Sequence, residues 1–255
     1  MKGLPPAAMD VEAVVIRQSN LQDFMACLMY AGSVYTEGTE LAPSLVIPFY
    51  PGARQDRANP TGDVLNTKAW VSDMVDDISG YFSEVLVFDM HSPKNDPLGL
   101  VNVTPAAIMV AASKMGVKTN PTEGYYDTII APDHGAKERA EEVGAIFHTP
   151  VVVADKVRDV TDGRIVNYSI DTTQTEMKKV LVVDDICDGG MTFKILADSI
   201  PVDTEKHLFV THGIFARNAE AMLLTRYSNI ITTNSVYPEK GNPRITVIDL
   251  FEGLI

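Results

Sequence analysis

Only 2 cysteines, Cys27 and Cys187, occur in 255 residues, which rules out a disulfide framework and fits a reducing compartment. Both read as small buried side chains. Positive charge is scarce as well: 21 Lys and Arg stand against 34 Asp and Glu, for a net charge of −13. Phosphate backbones and anionic lipids select basic patches, so this balance argues against a nucleic-acid or membrane partner. It leaves room for an anionic small substrate, because a few local cations or a metal can override the global charge. Long apolar runs are missing. The longest, "LFVTHGIF" and "VLVVDD", fall far short of the roughly 20 residues that a spanning helix needs. The opening "MKGLPPAAMD" has one lysine and no apolar core of the signal-peptide kind. The sequence shows no tandem repeat and no low-complexity tract. These absences leave a cytoplasmic enzyme or binding protein as the expectation.

What is present is a recurring pattern. Short apolar, β-branched runs appear in "VEAVVIRQ", "SLVIPFY", "EVLVFDM", "DTIIAPD", "TPVVVAD", "KVLVVDD", "KHLFVTHG", "NIITTNS" and "ITVIDL". Several are nearly continuous rather than alternating, as strands covered on both faces require. Helical stretches lie between them: "TKAWVSDMVDDISGYF", "TPAAIMVAASKMG", "GAKERAEEVGA", "TFKILADSI" and "ARNAEAMLLTRY". In the first, Ala69, Val71, Met74, Val75 and Ile78 form a stripe at helical spacing. Strand alternating with helix predicts an α/β fold with mainly parallel sheets. Flexible pieces are expected at 51–63, 91–99 and 158–177. A boundary within Gly99 to Thr104 divides the chain into domains 1–103 and 104–255.

Ligands of such sheets bind outside the carboxyl ends of the strands. The chemically rich residues recur at those ends, in "PFYPGARQDR", "VFDMHS", "IAPDHGAKER", "VADKVRD" and "VVDDICDGGMT". Together they suggest one site. The last is the most telling. A strand is expected to end at Asp184 and Asp185, and "TFKILADSI" to open a helix. Gly189 and Gly190 permit positive φ and let backbone amides approach an oxyanion closely. The following helix N-terminus adds the positive end of its dipole. Thr192 can donate its hydroxyl. Asp184 and Asp185 can accept hydrogen bonds from vicinal ribose hydroxyls, whereas a bare phosphate would be repelled. A ribose phosphate answers both halves of the pattern. The plainer alternative is a strand-to-helix turn with aspartate caps.

"VLVVDDICDGGMT" resembles the ribose-5-phosphate loop of type I phosphoribosyltransferases and of ribose-phosphate pyrophosphokinases, whose usual string is close to DDxxDTGGT. Gly189 stands for the usual Thr and Met191 for a Gly. Further stretches resemble the pyrophosphokinases: "VIPFYPGARQDR" (46–57), "VFDMHS" (87–92), "IIAPDHGAKERA" (129–140), "ADKVRD" (154–159), and "VTHGIF" followed by "ITTNSV" (210–236). The resemblance runs from about residue 11 to the C-terminus. It implies two phosphoribosyltransferase-like subdomains with the site between them, and transfer of diphosphate from ATP to ribose 5-phosphate. It also implies Mg2+ and a homo-oligomer, a hexamer or another dimer-based assembly.

By the same resemblance, Lys156 and Arg158 are the catalytic cations, and Arg54, Gln55 and His91 bind ATP. Asp184, Asp185, Asp188, Gly189, Gly190, Met191 and Thr192 hold ribose 5-phosphate. Asp133, His134, Gly135 and Ala136 form the diphosphate loop, and His91 with Asp133 takes the metal. The family's further aspartate in the ATP region corresponds to Asn59. Arg139 is left open between facing the phosphates and lying solvated on a helix. His148, His207, His212 and Trp70 read as structural. The family usually begins with another strand and helix and continues beyond "IDLFEGLI", so the N-terminal subdomain is expected to be shortened. Whether the chain is cut or starts late stays open. Two other readings remain: a phosphoribosyltransferase consuming phosphoribosyl diphosphate, and a catalytically silent homologue with a regulatory or assembly role.

Overall fold

The computed structural model describes residues 13–16, part of 22–30, 43–54, 67–92, 99–117, 125–158, 165–171, 173, 175–238 and 241–251. The chain divides into two compact units, Met1–Val103 and Thr104–Ile255.

The first unit holds β1 (Ala13–Val15), β2 (Ser44–Ile47), β3 (Val85–Phe88) and β4 (Leu100–Val103), hydrogen-bonded in that order, with every pair parallel. Leu45, Val46 and Ile47 are fully buried, as a central parallel strand covered on both faces demands. Helix α1 (Thr67–Ser79) supplies Val71, Val75 and Ile78 to the core that contains Leu45, Ile47, Val85 and Val87. Three members of the expected helical stripe are thus core. β4 falls within Gly99 to Thr104, where the sequence suggested a domain boundary and no strand. It is a short edge strand, LVNV, whose apolar run is interrupted by Asn102 and whose side chains are exposed or half-buried.

The second unit is built on β5 (Thr128–Ala131), β6 (Val151–Val153), β9 (Lys179–Cys187), β10 (Glu205–Gly213), β11 (Asn229–Thr233) and β12 (Ile245–Ile248). These form a six-stranded parallel sheet in the order β12-β11-β10-β9-β5-β6. Its helices are α2 (Pro105–Lys114), α3 (Lys137–Phe147), α4 (Met191–Ser199) and α5 (Ala219–Leu223). From β5 the chain first adds β6 on one side and then returns to place β9 on the other. The order reverses between β5 and β9, and that switch point is where open α/β sheets form their ligand crevice.

Three expectations are corrected here. β9 does not stop at Asp184 and Asp185 but runs to Cys187, because β10 pairs with it as far as Gly213↔Cys187. The stretch expected to be flexible at 158–177 contains β8 (Ile165–Ser169), antiparallel to β7 (Asp155–Arg158). Tyr168 anchors this hairpin in the core, and its backbone N–H donates to Ser199 Oγ at 3.2 Å. Finally, "ARNAEAMLLTRY" yields only the short α5, since Phe215 and Arg217 take positive φ (46° and 61°) just before it. Among the described residues, no helix is long and apolar enough to cross a membrane.

Candidate active site

The β5/β9 switch point carries two groups of polar residues, one in the loop after β5 and one in the last part of β9 and the turn that follows. On β9, Asp184 and Asp185 lie within the ladder, with Val210 of β10 as the partner of Asp184. The Asp185 N–H donates to Asp184 Oδ1 at 2.9 Å, and the Ile186 N–H donates to Asp185 Oδ1 at 2.8 Å. Arg139, from the first turn of α3, brings its guanidinium to 3.7 Å from Asp184 Oδ1 and 3.7 Å from Asp185 Oδ2. All three side chains are largely withdrawn from water, at 10% exposure for Arg139, 18% for Asp184 and 4% for Asp185. Burial, and after it the negative charge of Asp185, pushes the Asp184 carboxyl well above its usual range, against the pull of Arg139. Two acids this close resist joint ionisation.

The chain then turns through Asp188 and Gly189, both exposed, to the buried Gly190. Gly190 has φ 72°, and a Cβ there would come within 3.1 Å of Leu223 Cδ1 and Met222 Cε, so this position demands glycine. Because Gly190 is the N-cap, no side chain caps α4. The first amides of α4, Met191 and Thr192 among them, therefore face outward as a donor set suited to an oxyanion. Three hydrogen bonds from the next loop hold the turn. Ile214 and Phe215 N–H donate to Cys187 O at 2.9 and 3.0 Å, and Ala216 N–H donates to Asp188 O at 3.0 Å.

Beside this lies the loop after β5, whose short 3-10 turn His134–Ala136 packs against β9. Asp133 caps that turn, accepting from Gly135 N–H at 2.8 Å and Ala136 N–H at 3.1 Å through Oδ1. A side chain at Gly135 would crowd that same oxygen at 3.1 Å. The other oxygen, Oδ2, accepts from Lys156 Nζ at 2.5 Å. Burial works to raise the Asp133 pKa, but the Lys156 ammonium and the two amides outweigh it and hold the carboxyl below its usual value. One residue away, His134 Nε2 lies 3.3 Å from Asp155 Oδ1. The β7–β8 hairpin is thus fastened to the loop at two points. The amides of Gly135 and Ala136, expected to hold diphosphate, are engaged by Asp133 itself.

The second unit therefore brings Asp133 to Lys156, and Asp184 to Asp185, on neighbouring strand ends. Arg158 closes β7. In the first unit, Arg54 is exposed after β2, and half-buried His91 follows β3. β2 and β3 are parallel neighbours, so the segments that carry Arg54 and His91 both leave from the carboxyl end of that sheet. The turn leading to His91 is held by Asp89 N–H donating to Val103 O and Met90 N–H donating to Asn102 Oδ1. Gln55 lies outside the described residues, as does the side chain of Trp70. His212 is buried within β10 and its Nδ1 pairs with Ser235 Oγ at 2.8 Å.

As to a divalent cation, Asp133 is a hard oxygen donor whose Oδ2 already attracts positive charge, which fits magnesium's preference for few carboxylates and several waters. Among the described residues, no group of three or more His, Cys, Asp or Glu could hold a metal by itself. The residues therefore fit a magnesium shared with substrate phosphates and fit a protein-caged ion poorly. Arg139 is the site residue that the sequence left undecided. A signal was available, because Arg139 lies four residues before Val143 and so shares the face that α3 buries.

The acid pair, the glycine turn and the uncapped helix lie at the switch point of a phosphoribosyltransferase-type fold. Residues 104–200 match the phosphoribosyl transferase domain family. A phosphoribosylpyrophosphate synthetase from Mycobacterium smegmatis shares the fold, with a TM-score of 0.67 and 18% identity, over 93% of this chain and 77% of that one. The ribose-phosphate pyrophosphokinase of Pyrococcus abyssi is 30% identical over 213 residues, 80% of this chain and 68% of that protein. Its counterpart from Pyrococcus furiosus is 28% identical over 222 residues, 84% and 74% of the two. The chain belongs to the ribose-phosphate pyrophosphokinase family.

Proposed function

We propose that the protein is a ribose-phosphate diphosphokinase. The anomeric hydroxyl oxygen of ribose 5-phosphate attacks the β-phosphorus of ATP and gives up its proton to solvent, the bond from that phosphorus to the α-β bridging oxygen breaks, and AMP leaves. Phosphoribosyl diphosphate is the other product. The observation that carries the reading is the pairing, on adjacent strand ends, of an acid pair and glycine turn with a lysine-bound loop aspartate. Asp184 and Asp185 accept from the sugar hydroxyls. Asp188, Gly189, Gly190, Met191 and Thr192 surround the 5-phosphate. Positioning and charge neutralisation supply most of the catalysis in such transfers, and Lys156 with Arg158 stabilises charge on the transferred phosphoryl oxygens. Asp133, His134, Gly135 and Ala136 receive the diphosphate.

The first unit takes the ATP side through Arg54, Gln55 and His91, and the second takes the sugar. Magnesium would neutralise the phosphate oxygens when bound, with Asp133 among the residues that would hold it. The family and the cysteine usage further support a cytoplasmic homo-oligomer built from dimers, and size measurement in solution would test it. The test of function is incubation of the purified chain with ATP, magnesium chloride and ribose 5-phosphate, with both products followed by chromatography. AMP and phosphoribosyl diphosphate should appear in equal amounts. Sugar binding with neither product would make the chain a silent homologue.

A further inference from the structure

We propose that Arg139 is a positioning residue of the sugar site, one that bridges Asp184 and Asp185 and presents both carboxylates to the vicinal hydroxyls of ribose 5-phosphate. The inference rests on the proposed function and adds to it the group that keeps the acid pair usable.

A hydroxyl-binding carboxylate must remain an acceptor, and two neighbouring carboxylates in a dry setting tend to protonate, which turns an acceptor into a donor. The site needs a cation that water cannot screen. Arg139 provides one. Its side chain is 10% exposed and stands between the two acids at 3.7 Å from each. Those distances exceed hydrogen-bonding reach, so at these two oxygens the guanidinium supplies charge without claiming a lone pair. Its placement is set by the fold rather than by side-chain freedom. α3 buries Ala140, Val143, Gly144 and Phe147, which turns the i−4 neighbour of Val143 toward β9. A planar guanidinium spans two carboxylates where a lysine, a point charge, can favour only one. Burial, and after it the charge of Asp185, raises the proton affinity of Asp184, and Arg139 opposes that rise.

Calorimetry of ribose 5-phosphate binding, paired with steady-state kinetics, tests this on wild type, Arg139→Lys and Arg139→Met. The Met variant should lose roughly tenfold or more in sugar affinity, with the loss appearing in KM and kcat nearly unchanged. The Lys variant should recover part of it. A purely structural role would lower the melting temperature and leave Kd and KM of the folded enzyme unmoved, which would overturn the inference. If Arg139→Met does not fold, Arg139→Lys decides: weakened Kd at unchanged kcat sustains the role, and wild-type Kd refutes it. Failure of the wild type to bind ribose 5-phosphate would overturn the proposed function, and this inference with it. Normal wild-type binding with no variant effect would overturn the inference alone.

Discussion

Replacing Lys156 by alanine separates the ground state from the transition state more cleanly than any other single change in this site. Among the described residues, the Lys156 ammonium makes one hydrogen bond, to Asp133 Oδ2 at 2.5 Å. Both partners are partly solvated, at 25% and 36% exposure, so solvent screening leaves the pair worth no more than about 1 kcal/mol of stability. The loss expected in turnover is much larger. A pre-placed donor facing developing phosphoryl charge is worth about 2.7–4 kcal/mol, or roughly 10²- to 10³-fold in kcat. Sugar affinity should change little, since the lysine bonds the loop after β5 and the acid pair is carried by β9. The assay combines AMP release at saturating ATP and ribose 5-phosphate with calorimetric Kd for the sugar alone. Equal losses in Kd and kcat would refute the assignment, because they would place Lys156 in sugar binding. A drop in stability well above about 1 kcal/mol by denaturant titration would show instead that the lysine is a structural clamp on the loop.

Asp185→Ala should weaken ribose 5-phosphate binding by removing a buried acceptor (4% exposed), and unchanged affinity by calorimetry would contradict its hydroxyl-holding role. Gly213→Ala should destabilise the fold by about 1–3 kcal/mol through overpacking, because a Cβ there would strike the Phe215 ring and lie 2.7 Å from Thr232 Oγ1. The strap on Cys187 and Asp188 shifts with Phe215, so sugar affinity should fall too, and a variant with unaltered melting and binding would disprove the coupling. His207 should make the wild type lose stability as pH falls. Burial, opposed by its Glu205 bond, holds its folded pKa below 6.5, so the stability it contributes is complete above 6.5 and is lost as pH drops toward the folded value. Denaturant titrations from pH 7.5 to about 5 should show this slope in wild type and not in His207→Asn, each tenfold difference in proton affinity being worth about 1.4 kcal/mol.

The nine apolar runs of the sequence all became parallel strands, because burial on both faces of a parallel sheet forces a continuous apolar segment. What escaped reading lacked that constraint. β4 is a four-residue strand whose apolar run Asn102 interrupts, and "DKVR" in β7 is a polar ribbon that pairs across the hairpin, Lys156 opposite Tyr168. The bend that shortens α5 arises from positive φ at two non-glycine residues, which no composition signals. The site divides in the same way. Asp184, Asp185 and the paired glycines were legible because a carboxylate cluster at the end of an apolar run costs too much to be idle. Arg139 was legible only in part: its spacing to Val143 puts it on the buried face of α3, but which acids it meets depends on how that helix docks on β9. A residue that touches substrate is selected for its own chemistry and so marks the sequence directly. One that sets the charge of its neighbours shows its partners only once the fold has brought it within 4 Å of both, as it does here.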